Sequence, residues 1–419
     1  MRIDEAASTP TVGRAAACWL FAGLLLWGVG VQVTEILASL GMIVCALSAG
    51  AICLRQRSRQ EIGKLVLAWW PLALFFAWAI AGSTLAGRPP TPTGFARALD
   101  WLLIPFAACA VRALPERSLK SIALICAGVF LLSCAVAALQ GFGIWPPLST
   151  FERFSWTRIG FHRVYEPVPD AEGRFMAGGL LFHRLKFAHV GSLWVLGFLV
   201  LGAAARGRLR AFWLATSAIG FVSILALPYA RAASLALVLS ASLTLALIGT
   251  SRRRARLAAA VLATLTVAAV FAYRPTRERF LNGLTSSGSG DRQEILSTGL
   301  RAVAEHPIAG VGLGQFRPSY FGSATTPQYV LDNPGKAHNQ FLSMAAEIGI
   351  PGMLLFLLLL IWLGRSFDPR DPYGLFGLGA LTFFSLLSLA HDPLIHAPFS
   401  MAVSFSLGVA SARAPMSRR

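Results

Sequence analysis

The sequence predicts an all-α polytopic membrane protein, and three observations lead there. Of its 419 residues 55% are hydrophobic and only 13% charged, well away from the balance of a soluble chain. Apolar runs of roughly 20 residues recur along the whole length, each long enough to cross a hydrocarbon core of about 30 Å, where a helix satisfies its own backbone hydrogen bonds. The charges collect in the breaks between these runs. In such a chain a formal net charge of +18 reports orientation and anionic lipid rather than nucleic acid, so no nucleic-acid partner is expected.

Taken in order, the apolar runs give about 12 transmembrane helices, near residues 15–33, 35–54, 65–86, 96–111, 119–140, 187–205, 211–228, 232–250, 255–273, 340–364, 373–390 and 393–412. The polar head before the first run carries Asp4 and Glu5, and no small-residue cleavage site ends that run, so a retained first span is expected. The chain divides into N-terminal helices with a first long loop (1–186), central helices (187–273), a large second loop (274–339) and C-terminal helices (340–419).

Short loops with clusters such as Arg55, Arg57, Arg59 and Lys64, or Arg252, Arg253, Arg254 and Arg256, mark the cytoplasmic side and place both termini there. The opposite side holds both long loops, many further cations and all seven histidines: His162, His183, His189, His306, His338, His391 and His396. All six cysteines lie in apolar runs, which suggests neither a disulfide framework nor a thiolate metal site.

Several stretches on that side carry chemistry. His338 stands in Gly335-Lys336-Ala337-His338-Asn339-Gln340, where the second long loop re-enters the membrane; its near-neutral titration suits it to take a proton from a hydroxyl. Lys336 and Asn339 flank it as candidate substrate contacts. Asp291 and Glu294 read as a helix start and Pro307 as its end, which puts Arg292 in the first turn. There it serves either as an anion site at the helix N-terminus or as a solvated arginine beside two carboxylates.

Arg231 lies in the short connection Pro228–Ser234, with no acidic neighbour in sequence, and faces a polar cavity or snorkels to headgroups. Arg174, Arg184, Lys186 and His189, before and into the sixth run, either hold a second phosphate group or attract anionic membrane lipid. Gly310-Val311-Gly312-Leu313-Gly314 lacks the lysine and the strand–turn–helix setting of a nucleotide loop and reads as a tight turn that lets backbones pack. No G-x-S-x-G, H-E-x-x-H or D-x-D occurs, and no histidine pair shows ligand spacing with acidic support; no metal and no cofactor are expected.

The runs Asp291-Arg292-Gln293-Glu294-Ile295-Leu296, His306-Pro307-Ile308-Ala309-Gly310-Val311-Gly312-Leu313-Gly314-Gln315-Phe316, His338-Asn339-Gln340-Phe341-Leu342 and Glu347-Ile348-Gly349-Ile350-Pro351-Gly352 together resemble the signature of the bacterial O-antigen ligase and polymerase superfamily. The resemblance spans roughly residues 180 to 390 and is greatest to the ligases. It implies a GT-C-like inverting glycosyltransferase of the inner membrane, acting at the periplasmic face. The implied donor is undecaprenyl-pyrophosphate-linked O-antigen and the implied acceptor lipid A-core lipopolysaccharide. Position by position, His338 matches the family's loop histidine, Arg292 its loop arginine and Arg231 its short-loop arginine, with Arg184, Lys186 and His189 a looser match. O-antigen polymerases and protein O-oligosaccharyltransferases share the signature. A lipid or polysaccharide transporter would have a similar span count but would show an internal repeat, which this sequence lacks.

Overall fold

The computed structural model describes residues 14–56, 69–145, 167–168, 171–248, 286–323, 326, 328–331 and 337–412, with isolated helical positions at 253, 257, 260, 264 and 277; for 53–56, 286–292 and 329–330 it describes the backbone alone. Its helices are α1 (Arg14–Val33), α2 (Glu35–Gln56), α3 (Trp70–Leu85), α4 (Pro92–Leu102), α5 (Ile104–Ala113), α6 (Glu116–Gly141), α7 (Arg184–Ala204), α8 (Gly207–Ala226), α9 (Arg231–Leu247), α10 (Ser286–Glu305), α11 (Gln328–Leu331), α12 (Gln340–Ser366), α13 (Pro372–Ala390) and α14 (Ala397–Ser411). Among the described residues β pairing is limited to an isolated bridge between Pro167 and Phe175, so no sheet forms there.

Eight of these stretches are long and apolar enough to cross a membrane, namely α1, α2, α4 continued by α5, α6, α7, α8, α12 and α13. Three shorter apolar helices, α3, α9 and α14, accompany them. The chain is thus an all-α, multi-pass membrane protein. The span expected at 255–273 lies outside the described residues except for helical positions 257, 260 and 264.

Side-chain and backbone contacts show which helix ends lie together. The Lys186 ammonium pairs with Glu35 at 2.6 Å, bringing the α1–α2 turn to the start of α7. The Ser83 hydroxyl near the end of α3 accepts from Leu313 N–H at 2.9 Å, and Thr91 N–H before α4 donates to Leu313 O at 3.0 Å. Leu227 O at the end of α8 accepts from Ala177 N–H at 3.0 Å, and Gln340 N–H at the start of α12 donates to His391 O after α13 at 3.2 Å. Helix ends that successive crossings would put on one side therefore meet in these pairs. At the other end of the bundle the Arg112 guanidinium caps α14 by donating to Ala412 O and, at 3.3 Å, to Ser411 O.

Two features differ from the expectation. The helix expected to start at Asp291 is already running at Ser286, so Arg292 lies beyond its first turn, where backbone N–H groups are used within the helix. The Ser- and Gly-rich residues 286–290 are weak helix formers, and local propensity placed the start too late.

The tenth run is also not one straight helix. α12 breaks at Ile348 (φ −127°, ψ 16°) and Gly349 (φ 75°, ψ 172°), and the hydrogen bonds that a helix would make there are exchanged for others. Pro351 has no N–H to offer the Glu347 carbonyl, and Gly312 N–H takes it at 2.9 Å. Ile350 N–H turns to Pro307 O at 2.8 Å, leaving Ala346 O for Val311 N–H at 2.9 Å, while the Trp78 indole donates to Ile348 O at 2.9 Å. Two stretches of the sequence signature, 307–312 and 346–350, are zipped together through this break. The expected tight turn is present, with Gly310 (φ 68°) so close that a Cβ would come within 2.4 Å of the Glu347 carbonyl carbon.

The core beneath the gathered ends is aromatic. Trp101, Phe356 and Phe384 meet with centroids 5.2–6.1 Å apart, and Phe384 stacks on Phe399 at 6.3 Å; all four are fully buried.

Candidate active site

Three connections, two long and one short, end in a strained residue that turns the chain into a helix. Phe182 (φ 48°) leads into α7, Tyr229 (φ 51°) into α9 and His338 (φ 53°) into α12. Non-glycine residues rarely hold φ above zero, and they persist only where the surroundings over-determine them. Those surroundings are visible at Phe182. The buried Gln140 amide on α6 donates to Gly179 O at 3.0 Å and accepts from Gly178 N–H at 2.9 Å, while Ser133 Oγ accepts from Leu180 N–H at 3.1 Å. His183 then caps α7, its Nδ1 accepting from Lys186 N–H at 3.4 Å.

His338 is fixed from both sides. Ala337, fully buried beside Phe316, Phe321 and Ala346, donates its N–H to Ser343 Oγ at 3.1 Å. Asn339 caps α12, its Oδ1 accepting from Phe341 N–H and Leu342 N–H at 3.0 Å each, and its Nδ2 donates to Leu389 O at 3.2 Å. Gln340 adds the bond to His391 O and accepts from Leu394 N–H at 3.2 Å.

This packing brings five of the seven histidines together. Ring centroids lie 5.8 Å apart for His338 and His391, 5.2 Å for His189 and His391, 5.7 Å for His391 and His396, 5.7 Å for His189 and His396, and 5.3 Å for His183 and His396. The cluster rests on the aromatic core through His189 against Phe399 at 5.3 Å. Asp392, 1% exposed, lies in the same turn as His391.

Burial, followed by the positive character of His183, His391, Lys186 and Arg97, pushes the His396 imidazole down to about 2, so it stays neutral at physiological pH. His189 Nδ1 and His396 Nε2 are buried without a hydrogen-bond partner among the described residues. Among those residues no three His, Cys, Asp or Glu side chains are placed to hold one metal ion.

Of the residues expected in the site, His338 and His189 meet through His391, and Lys186 lies one turn before His189 on the same helix. Lys186 spends its charge on Glu35; the pair is partly exposed, at 25% and 46%. Arg184 opens α7 and Arg231 opens α9, both half-buried on the same side. Arg174 covers the Phe142 ring at 3.8 Å, by the end of α6. The side chain of Arg292 and all of Lys336 lie outside the described residues.

His391, His396 and Arg97 were not singled out from the sequence. The spacing His391-Asp392-Pro393-Leu394-Ile395-His396, in a short connection on the histidine-bearing side, was the available signal. Arg97 lay hidden in an apolar run. It lines a narrow crevice, partly open to solvent, with Gln340, Ser343, Glu347, Phe75 and Trp101.

Fold and site together define a multi-pass α-helical membrane protein whose polar chemistry is collected where two long loops re-enter one end of the bundle. Residues 216–357 match the family model Wzy_C, described as O-antigen ligase. The matched segment, well under half of the chain, contains Arg231, Arg292, His338 and the break in α12, and excludes the other four members of the histidine cluster. No curated protein matches the chain.

Proposed function

We propose that the protein is an O-antigen ligase: a GT-C-like inverting glycosyltransferase that moves O-antigen from undecaprenyl pyrophosphate to lipid A-core lipopolysaccharide at the periplasmic face of the bacterial inner membrane. The observation that carries this reading is the Wzy_C match over a segment in which one histidine, His338, is held in a strained conformation beside another imidazole.

In the reaction an acceptor hydroxyl gives its proton to an unprotonated ring nitrogen of His338 as its oxygen attacks the anomeric carbon from the face opposite the pyrophosphate. The new C–O bond forms while the bond to the pyrophosphate breaks, and the departing oxygen keeps the electron pair. Arginine forks suit a pyrophosphate, and Arg292 and Arg231 are assigned to it; Arg184, Lys186, His189, Arg174, Lys336 and Asn339 are the surrounding substrate-binding candidates. The reaction as proposed calls on no cofactor.

The test uses purified protein with lipid-linked O-antigen and rough lipopolysaccharide, with chelator and without nucleotide, for wild type, His338→Ala and Arg292→Ala. A size shift of the lipopolysaccharide that both substitutions abolish supports the ligase. Lengthening of the donor without acceptor makes the protein a polymerase, and lipid movement across the bilayer without reaction makes it a transporter.

A further inference from the structure

The end of α13 and the turn that leads to α14 grip the residues that follow His338. Leu389 O holds the Asn339 amide, His391 O holds Gln340 N–H, and Leu394 N–H holds the Gln340 side chain. This grip sets the His391 ring 5.8 Å from the His338 ring, with their planes inclined at 47°. Two imidazoles at that separation leave room for one oxygen to contact a nitrogen of each.

His391 is also fixed in its chemistry. Its Nδ1 accepts from Asp392 N–H at 2.8 Å, so the neutral ring carries its proton on Nε2. A ring pinned in this way offers a donor and no free lone pair, so it does not compete with His338 for a proton. Behind it stand His189 and His396, with the buried Phe399 behind His189, and they restrict its movement.

We propose that His391 is the second imidazole of a clamp on the acceptor: its Nε2–H donates to the acceptor hydroxyl oxygen while His338 removes that oxygen's proton. This rests on the reading of His338 given above. The His391 proton is never transferred. The acceptor proton goes to His338, the oxygen bonds to the anomeric carbon, and the pyrophosphate leaves with the electron pair. Because His391 lies outside the segment matched to the family, its part in the site comes from the packing of α12 against the α13–α14 turn.

The experiment compares wild type, His391→Gln and His391→Phe in the transfer assay, varying donor and acceptor separately. It also measures binding of rough lipopolysaccharide directly. Glutamine keeps an N–H donor, whereas phenylalanine keeps only the ring. The phenylalanine variant is expected to lose on the order of tenfold to hundredfold in kcat/KM for acceptor, the scale set by a misplaced reactant, with KM for donor unchanged and acceptor binding weakened; glutamine is expected to restore most of the loss.

Selective ¹⁵N-histidine spectra should show the His391 Nδ1 unprotonated and perturbed when rough lipopolysaccharide binds. A phenylalanine variant equal to wild type, or glutamine and phenylalanine variants equally impaired with the same drop in Tm, overturns the clamp. If His338→Ala is fully active, or wild type transfers nothing, the reading of the reaction fails instead, and acceptor binding with the ¹⁵N shifts alone then decides whether His391 contacts the hydroxyl.

Discussion

Gly349→Ala tests the break in α12 that joins the two halves of the signature. The residue holds φ 75° and ψ 172°, a region open essentially to glycine alone, so alanine there carries strain of about 1–3 kcal/mol. The added methyl would also stand 1.9 Å from Ile308 O and 2.4 Å from the Ile308 carbonyl carbon, which are backbone atoms with no rotamer to change. The 307–312 segment must retreat, and with it go some or all of the bonds from Ile350 to Pro307, from Val311 to Ala346 and from Gly312 to Glu347, each contributing about 0.5–1.5 kcal/mol. The total comes to about 2–7 kcal/mol, a large share of the whole stability of many domains.

Gly128→Ala is the matched control. It lies in α6, where a methyl meets nothing within 4 Å, and the change is expected to be neutral or to stabilise by up to about 1 kcal/mol through helix propensity. The assay is denaturant- or heat-induced unfolding of the purified proteins in detergent, followed by size-exclusion fluorescence. If Gly349→Ala unfolds within about 0.5 kcal/mol of wild type, inside the scatter of ordinary surface changes, the argument from the backbone contact is wrong.

Three further outcomes are expected. Asn339→Ala should cost about 0.5–2 kcal/mol through the lost cap, and Asn339→Asp, which keeps the accepting oxygen, should recover most of it; recovery of transfer along with stability would make Asn339 a cap rather than a substrate contact. Glu35→Gln should change stability by no more than about 1 kcal/mol, the pair being partly exposed, and should lower KM for the donor if the freed Lys186 binds its phosphates; an unchanged KM removes Lys186 from the site.

The third concerns acid. His396 has a folded pKa of about 2 against about 6.5 unfolded, so between those values the unfolded state binds more protons. Its contribution is complete above the unfolded value and is lost as pH falls below it, by about 2 kcal/mol at pH 5. His396→Gln should remove that slope from a pH series of unfolding midpoints, and a slope identical to wild type would refute the assignment.

The sequence alone determined that this is an all-α membrane protein and that 291–296, 306–316 and 338–352 form one signature. These are properties of composition, of the length of apolar runs and of local motif, each readable without knowing what touches what. Tertiary structure decided the rest. Local patterns misplaced the start of α10, because the helix continues through weak formers, and they showed α12 as one run. The break exists because Gly312, Val311 and Pro307 replace its hydrogen bonds from more than 30 residues away. In the same way the sequence named His391 and His396 only among the histidines of one side, and offered Lys186 a phosphate group or anionic lipid as its partner. Only helix packing sets one imidazole beside His338 and brings Glu35 to the lysine, since contacts between segments far apart in the chain leave no mark on the periodicity of either.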